Sequence, residues 1–238
     1  MSFKTLLALF IVVVVTFSLN AQEFLTPANT FSHSKTAYIT LQDGTTVEGD
    51  IKKIKRKKGL IEEVRIKKEN GDKEKIKPAD IAYMYLPPSG FDKLDRGMSK
   101  AFDTQQWDNE EVESDLLKEG YAYFEQAEVY LKKKKKKRFL LMQLLNPHFA
   151  SNVKVYHDPF ARKTTSVGVG GFTVAGGNAK SYYVQNSEEP AFRLKKKKYK
   201  KDHFGEMWGS CPAVAEKYGD DVDWSDLIEH IIAYSECE

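Results

Sequence analysis

The amino-acid sequence predicts an α+β chain: a small β-barrel-like module followed by a mixed module that ends in a helical hairpin. Short period-two segments, punctuated by Asp-Gly and Asn-Gly turns, fill residues 35–86, the pattern of half-buried strands joined by hairpins. A 3.6-residue apolar period runs from Trp224 to Ile232, the pattern of an amphipathic helix. With 41% hydrophobic and 12% aromatic residues in 238, the chain can bury a sizeable core.

Ala37, Ile39 and Leu41 alternate with Tyr38 and Thr40, and Asp43-Gly44 supplies a hairpin turn. Val47, Gly49 and Ile51 continue the period on the return strand. Ile61, Val64 and Ile66 mark a third strand, whose imperfect alternation predicts a bulge. Asn70-Gly71-Asp72 turns the chain into Lys73–Ile76, Pro78-Ala79-Asp80-Ile81 makes one helical turn, and 82–86 alternates again. Short strands with a helical turn before the last resemble an SH3-like or Sm-like barrel. Asp43-Gly44 followed by Val47-x-Gly49-x-Ile51 strengthens that likeness, which implies a small barrel over residues 35–88.

Pro87-Pro88-Ser89-Gly90 punctuates the end of this module. Residues 89–120 read as an acidic linker with helical signals, and 121–238 as an α+β domain. Within it Tyr121, Tyr123 and Phe124 alternate weakly, Met142–Leu145 before Asn146-Pro147 predicts a helical turn, and Val153–Tyr156 predicts a strand. Ser181–Val184 and Ala191–Leu194 predict a hairpin pair about Ser187-Glu188-Glu189. Cys211-Pro212 opens a short helix that Gly219 closes. Asp223 can cap a second helix, on which Trp224, Leu227, Ile228, Ile231 and Ile232 share one face. An antiparallel hairpin of these helices brings Cys211 and Cys237 to the same end, the geometry of a disulfide. The rival reading is a reactive Cys211 at a helix N-terminus, with His203 eight residues away.

Residues 1–21 have the parts of a cleavable signal peptide: Lys4, an uncharged run from Leu6 to Phe17, and a polar junction ending at Ala21. The run is shorter than the ~20 residues that span a bilayer. Export to the periplasm, the cell surface or the medium follows, and an oxidising compartment favours the cysteine bridge. The junction Asn20-Ala21-Gln22, the Asp43-Gly44…Ile51 start and Ile76-x-Pro78-x-Asp80-Ile81 resemble uncharacterised secreted or periplasmic proteins of Bacteroidota-type bacteria. That resemblance covers the first third of the chain and implies no activity, substrate or cofactor.

No motif nominates a catalytic, cofactor-binding or metal-ligating residue. The stretch Gly170 to Ser181 looks like a phosphate-binding loop, but Asn178-Ala179 stand where a glycine must precede the lysine. The five histidines, His33, His148, His157, His203 and His230, show no metal-ligand spacing, and no G-x-S-x-G elbow is present. The charge pattern is the sharper signal. Residues 51–77 hold twelve Lys/Arg against five acids, and 202–238 hold ten acids against one Lys. Three basic runs are candidate anion-binding segments: Lys52, Lys53, Lys55 and Arg56; Lys132, Lys133, Lys134, Lys135, Lys136, Lys137 and Arg138; and Lys195, Lys196, Lys197 and Lys198. Phe139 and Tyr199 stand beside them for stacking, while the acidic blocks offer internal neutralisation instead. The expected function is a non-enzymatic envelope binding or scaffold module. One alternative is a binder of anionic envelope polymers or lipids through the lysine runs, with another envelope protein as a further partner and nucleic acid disfavoured by export. Another is a hydrolase in which His157 or His203 meets a nucleophile.

Overall fold

The computed structural model describes residues 23–89, 112–131, 136–161, 179–186 and 189–237. The expected signal peptide, most of the expected acidic linker, Lys132 to Lys135 and the stretch Gly170 to Asn178 lie outside the described residues. The chain is α+β, rich in strands and with few helices. Strands β1 (Thr36–Leu41), β2 (Thr46–Lys57), β3 (Leu60–Lys67), β4 (Lys73–Ile76) and β5 (Ile81–Leu86) lie where the period-two segments predict them. At the first turn the Asp43 carboxylate accepts the Thr45 amide at 2.9 Å and Gly44 takes φ +85°. Alternation then puts Ala37, Ile39, Val47 and Ile51 in the core. The expected bulge is present, since the β2–β3 register slips between Ile51 and Lys53 and again between Lys55 and Arg56.

After helix α1 (Ser114–Lys118), β6 (Ala122–Leu131) and β7 (Lys136–Gln143) continue the same sheet. Its order is β4-β3-β2-β1-β5-β6-β7, antiparallel throughout. The sheet is open, which corrects the expected closed barrel. β5 has only two hydrogen-bonding edges; β1 takes one and β6 the other, so none remains for β4. The predicted helical turn at Met142–Leu145 is also corrected: Met142 ends in β7, and Leu144 bridges Tyr156. Leu141 packs into one core while Leu140, Met142 and Leu144 pack into another. A strand buried on both faces reads as a continuous apolar run, without the alternation that would identify it.

A three-stranded sheet of β8 (Lys154–His157), β9 (Ser181–Gln185) and β10 (Phe192–Lys195) packs across the second core, where Tyr156, Tyr183 and Ala191 meet Tyr85, Tyr123 and Val129. Its far face carries Val155, Val184 and Leu194 against helices α2 (Phe204–Trp208), α3 (Pro212–Tyr218) and α4 (Leu227–Ser235). Two buried polar side chains lock this half. The Asn146 amide donates to the carbonyls of Phe149 and Val153 and accepts the Val155 amide at 2.8 Å. The Asp158 carboxylate, wholly buried, accepts from Ser181 Oγ at 2.6 Å and Arg193 Nε at 2.5 Å. The last helix starts later than predicted: Asp223 accepts the Ser225 amide in a tight turn, and Asp226 stands at the cap position. α3 and α4 pack together and set Cys211 and Cys237 at disulfide distance, with Cα atoms 5.8 Å apart.

Two predictions follow from this packing. Gly59 (φ +87°) lies so close to the Pro159 carbonyl that a Cβ would collide with it, whereas Gly44 (φ +85°) faces open space. Gly44→Ala should cost about 1 kcal/mol for the positive φ alone, and Gly59→Ala about 2–4 kcal/mol; equal shifts in urea unfolding would contradict the contact. For the cysteines, intact mass should rise by two hydrogens on reduction. Loss of the link across 26 residues should lower stability by about 3–4 kcal/mol, and two free thiols in the untreated protein would refute it.

Candidate anion-binding groove

The residues ahead of β1 run along β2 and build a groove against it. Phe31 packs edge-on to Phe124 at 6.0 Å and bridges Pro88, and the Ala28 amide donates to the Gln143 side chain at 2.7 Å, so the segment is fixed to the sheet. Successive side chains of a regular strand face opposite ways. The slip at Lys52 re-aims one of them, and Lys52 and Lys53 both line the groove. Arg56 lines it further along, with Phe31, Ile51 and Ile54 as apolar wall and Asn29, Thr30 and His33 on the other side. The hollow is about 330 Å³, and no carboxylate is among its described lining residues.

The groove is held from behind. The Arg56 guanidinium donates to the carbonyls of Asn29 at 3.1 Å and Ala28 at 3.4 Å, and sits 5.7 Å above the Phe31 ring. Hydrogen bonding and the cation–π contact together set the fork in one place. His33 Nδ1 lies 2.5 Å from the Ile51 carbonyl. Lys52 reaches Asp50 at 3.1 Å, and Lys53 has no carboxylate partner among the described residues.

The remaining basic residues fall on separate elements. Lys55 and Lys57 both face Glu62, at 3.2 and 3.8 Å. On the edge strand β7, Lys137 meets Glu128 at 3.5 Å and lies 5.5 Å from the Tyr130 ring centre. Lys198 meets Asp202 at 2.6 Å on the turns that follow β10. Lys136, Arg138, Lys195 and Lys197 are exposed and have no carboxylate partner among the described residues, while the exposed Lys196 lies close enough to Asp223 to help lower its pKa. Internal neutralisation therefore accounts for part of each run and leaves part open to solvent. Phe139, 65% exposed, is available for stacking. Tyr199 is not: it is buried, which corrects that expectation. Another hollow, of about 270 Å³ between Tyr130, Phe192, Glu189 and Glu206, has the opposite sign.

Two of the histidines serve the interior. His148 is buried beside Phe149, and loss of hydration pushes its pKa down to about 4. Burial likewise lowers His230 to about 4, with Asp226 and Asp223 opposing in part. Trp208 Nε1 donates to Tyr199 Oη at 2.9 Å, leaving the Tyr199 hydroxyl hydrogen for His230 Nδ1 at 2.7 Å. That arrangement suits the neutral imidazole. Burial also lowers the His203 pKa; its ring packs against Phe192 and lies 3.8 Å from the Glu206 carboxylate. Cys211 is fully buried, so it is not placed as an accessible thiol. Among the described residues no group of three metal-ligating side chains forms, and no helix is long and apolar enough to cross a membrane.

The fold and site define a mixed α+β protein with an open sheet and a basic groove on it. No protein-family model, curated protein or solved structure matches the chain. Sequence reasoning picked out Lys52, Lys53 and Arg56, and weighed His33 only as a metal ligand, but did not find their companions Asn29, Thr30 and Phe31, which carry no periodic signal.

The buried imidazoles set a pH dependence. Their folded pKa values lie below the ordinary 6.5, so the unfolded chain binds protons that the folded chain refuses as pH falls from 6.5 towards 4. Stability is full above pH 6.5 and declines through that window, at up to roughly 1.4 kcal/mol per pKa unit for each group. The urea midpoint should drop between pH 7 and 4.5, with a shallower slope in His230→Gln. A midpoint flat across that range would contradict the burial of both rings.

Proposed function

We propose that the protein is an exported, non-enzymatic binding module of the cell envelope that engages an anionic partner. The observation that carries this reading is the groove on β2, where Lys52, Lys53 and Arg56 line one wall and no carboxylate is among the described lining residues. A cavity walled by cations of one sign draws in anions from a distance and holds them against screening better than an open surface does. The pairing of Cys211 and Cys237 at disulfide distance is compatible with an oxidising, exported location. The strand order β4-β3-β2-β1-β5, with a 3-10 turn at Pro78–Asp80 before β5, supports reading residues 35–88 as an opened relative of the SH3/Sm-like module, followed by the α+β part.

The wider form of this reading uses all three lysine runs against an anionic polymer or lipid surface. It draws support from the exposed Lys136, Arg138, Lys195, Lys196 and Lys197. Retention on heparin and on anionic vesicles should be strong at low salt and lost as salt rises. Replacing Lys132 to Lys137, or Lys195 to Lys197, by Gln should move elution to lower salt. Elution of the unaltered protein at low salt, with no effect of either set of changes, argues against the reading.

A further inference from the structure

We propose that the outer edge of β7 takes up an extended acidic segment of a partner protein as an added strand, an inference that rests on the wider anionic-partner reading above and names the partner of its middle run. β7 is the last strand of its sheet, paired on one side with β6. The phase of that pairing identifies the backbone groups left over. Its register runs without a slip from Leu131 opposite Lys136 to Phe124 opposite Gln143, and Leu144 gives its amide to the Tyr123 carbonyl at 3.1 Å. Inward and outward groups alternate along an antiparallel strand. Lys136 and Arg138 therefore bond to β6, while Lys137 and Phe139 turn their N–H and C=O outward. Tyr130, opposite Lys137, agrees with this phase: its amide goes to the Ala191 carbonyl at 2.8 Å, away from β7. Among the described residues nothing pairs with the outward groups of Lys137 and Phe139.

The side chains define the strand that fits. Lys136 to Phe139 are all exposed, and Phe139, at 65%, is the most exposed large hydrophobic residue among those described. Alternation puts Lys136 and Arg138 on the face of Leu140, and Lys137 and Phe139 on the face of Leu141. Lys137 already meets Glu128, but Lys136 and Arg138 have no carboxylate partner among the described residues. Cross-strand pairing then asks for acids opposite Lys136 and Arg138 and a β-branched residue opposite Phe139. Like charge keeps a second copy of this edge away, whereas an acidic strand is attracted. A membrane meets one face of a strand, and here the cations and the ring are divided between both. A strand added in the plane of the sheet runs past both faces at once. The opposite edge, β4, has only four residues and carries Glu74 between Lys73 and Lys75, so it lacks this uniform charge.

The test uses the whole protein and an end-blocked peptide, Thr-Val-Glu-Thr-Glu-Thr. In antiparallel register it sets Val opposite Phe139 and a Glu opposite each of Arg138 and Lys136. Titration followed by amide spectra should shift residues 136–140. Exchange should slow at Lys137 and Phe139, whose N–H groups gain partners, and stay as it was at Lys136 and Arg138, already bonded to β6. N-methylation of the peptide at Val and at the Thr between the two Glu removes the amides that face β7 and should abolish binding. Methylation at the two Glu, whose amides face away, should leave most of it. Lys136→Gln with Arg138→Gln should weaken binding about tenfold at low salt and little at high salt, and Phe139→Ala several-fold at either. Lys195→Gln with Lys197→Gln should leave it unchanged, and the spectrum of each variant reports that it is folded. Equal loss from both methylation patterns, indifference to the changes at 136 and 138, or protection of Lys136 and Arg138 in place of Lys137 and Phe139 overturns the edge. Capture by phosphatidylglycerol vesicles through Phe139, with no binding of peptide, overturns it in favour of a membrane. Retention on heparin without peptide binding also overturns it while leaving the wider anion reading standing; failure of both removes both.

Discussion

β5 offers two hydrogen-bonding edges; β1 takes one, and β6, from Tyr83 opposite Glu125 to Leu86 opposite Ala122, takes the other. With the second edge filled, the first five strands cannot close on themselves, and the sheet grows to seven strands with two faces to cover. Ala28 and Phe31 from the segment ahead of β1 join Ile39, Val64 and Met84 on one face. The three-stranded sheet covers the other through Tyr156, Tyr183 and Ala191. That small sheet in turn has a bare side, which Met207, Trp208, Val214, Leu227 and Ile231 bury. Each layer exists because the one before it leaves apolar surface exposed, and burial of that surface dominates the favourable terms in folding.

The groove is a by-product of the same arrangement. Because residues 28–31 must seal one face of the sheet, they run beside β2, and the slip at Lys52 turns an extra cation towards them. Arg56 then ties the two walls together through the carbonyls of Ala28 and Asn29. One side chain thus fixes the segment and lines the hollow, so Arg56 belongs both to the packing and to the groove. At Lys55, Lys137 and Lys198 the cations instead face Glu62, Glu128 and Asp202, and their charge is largely spent within the molecule.

Much of this was legible in the residues. β1 to β5 follow from period-two alternation, broken only around a bulge, and from turns that need Asp-Gly or Asn-Gly, and the cysteine pairing follows from Pro212 and Gly219 bounding one helix and the apolar face of another. The rest fails for nameable reasons. β7 has no alternation because Leu140, Leu141 and Met142 are all buried. Tyr199 and Phe204 are five residues apart, off the helical period, and a π-type turn in which the Phe204 amide donates to the Tyr199 carbonyl brings both into one core. The basic runs were visible as composition, but which lysines are neutralised depends on cross-strand neighbours such as Glu62 and Glu128, which become neighbours only through the register.

Hydrogen exchange across the β5–β6 pair tests the central constraint most directly. If β6 occupies the outer edge of β5, the amides of Ile81–Leu86 and of Ala122–Glu125 should be protected alike and open together, as one cooperative unit. Rapid exchange of alternate β5 amides, the behaviour of a free edge strand, alongside slow exchange in β1 would show that the sheet ends at β5. The layers stacked on its extension would then need another explanation.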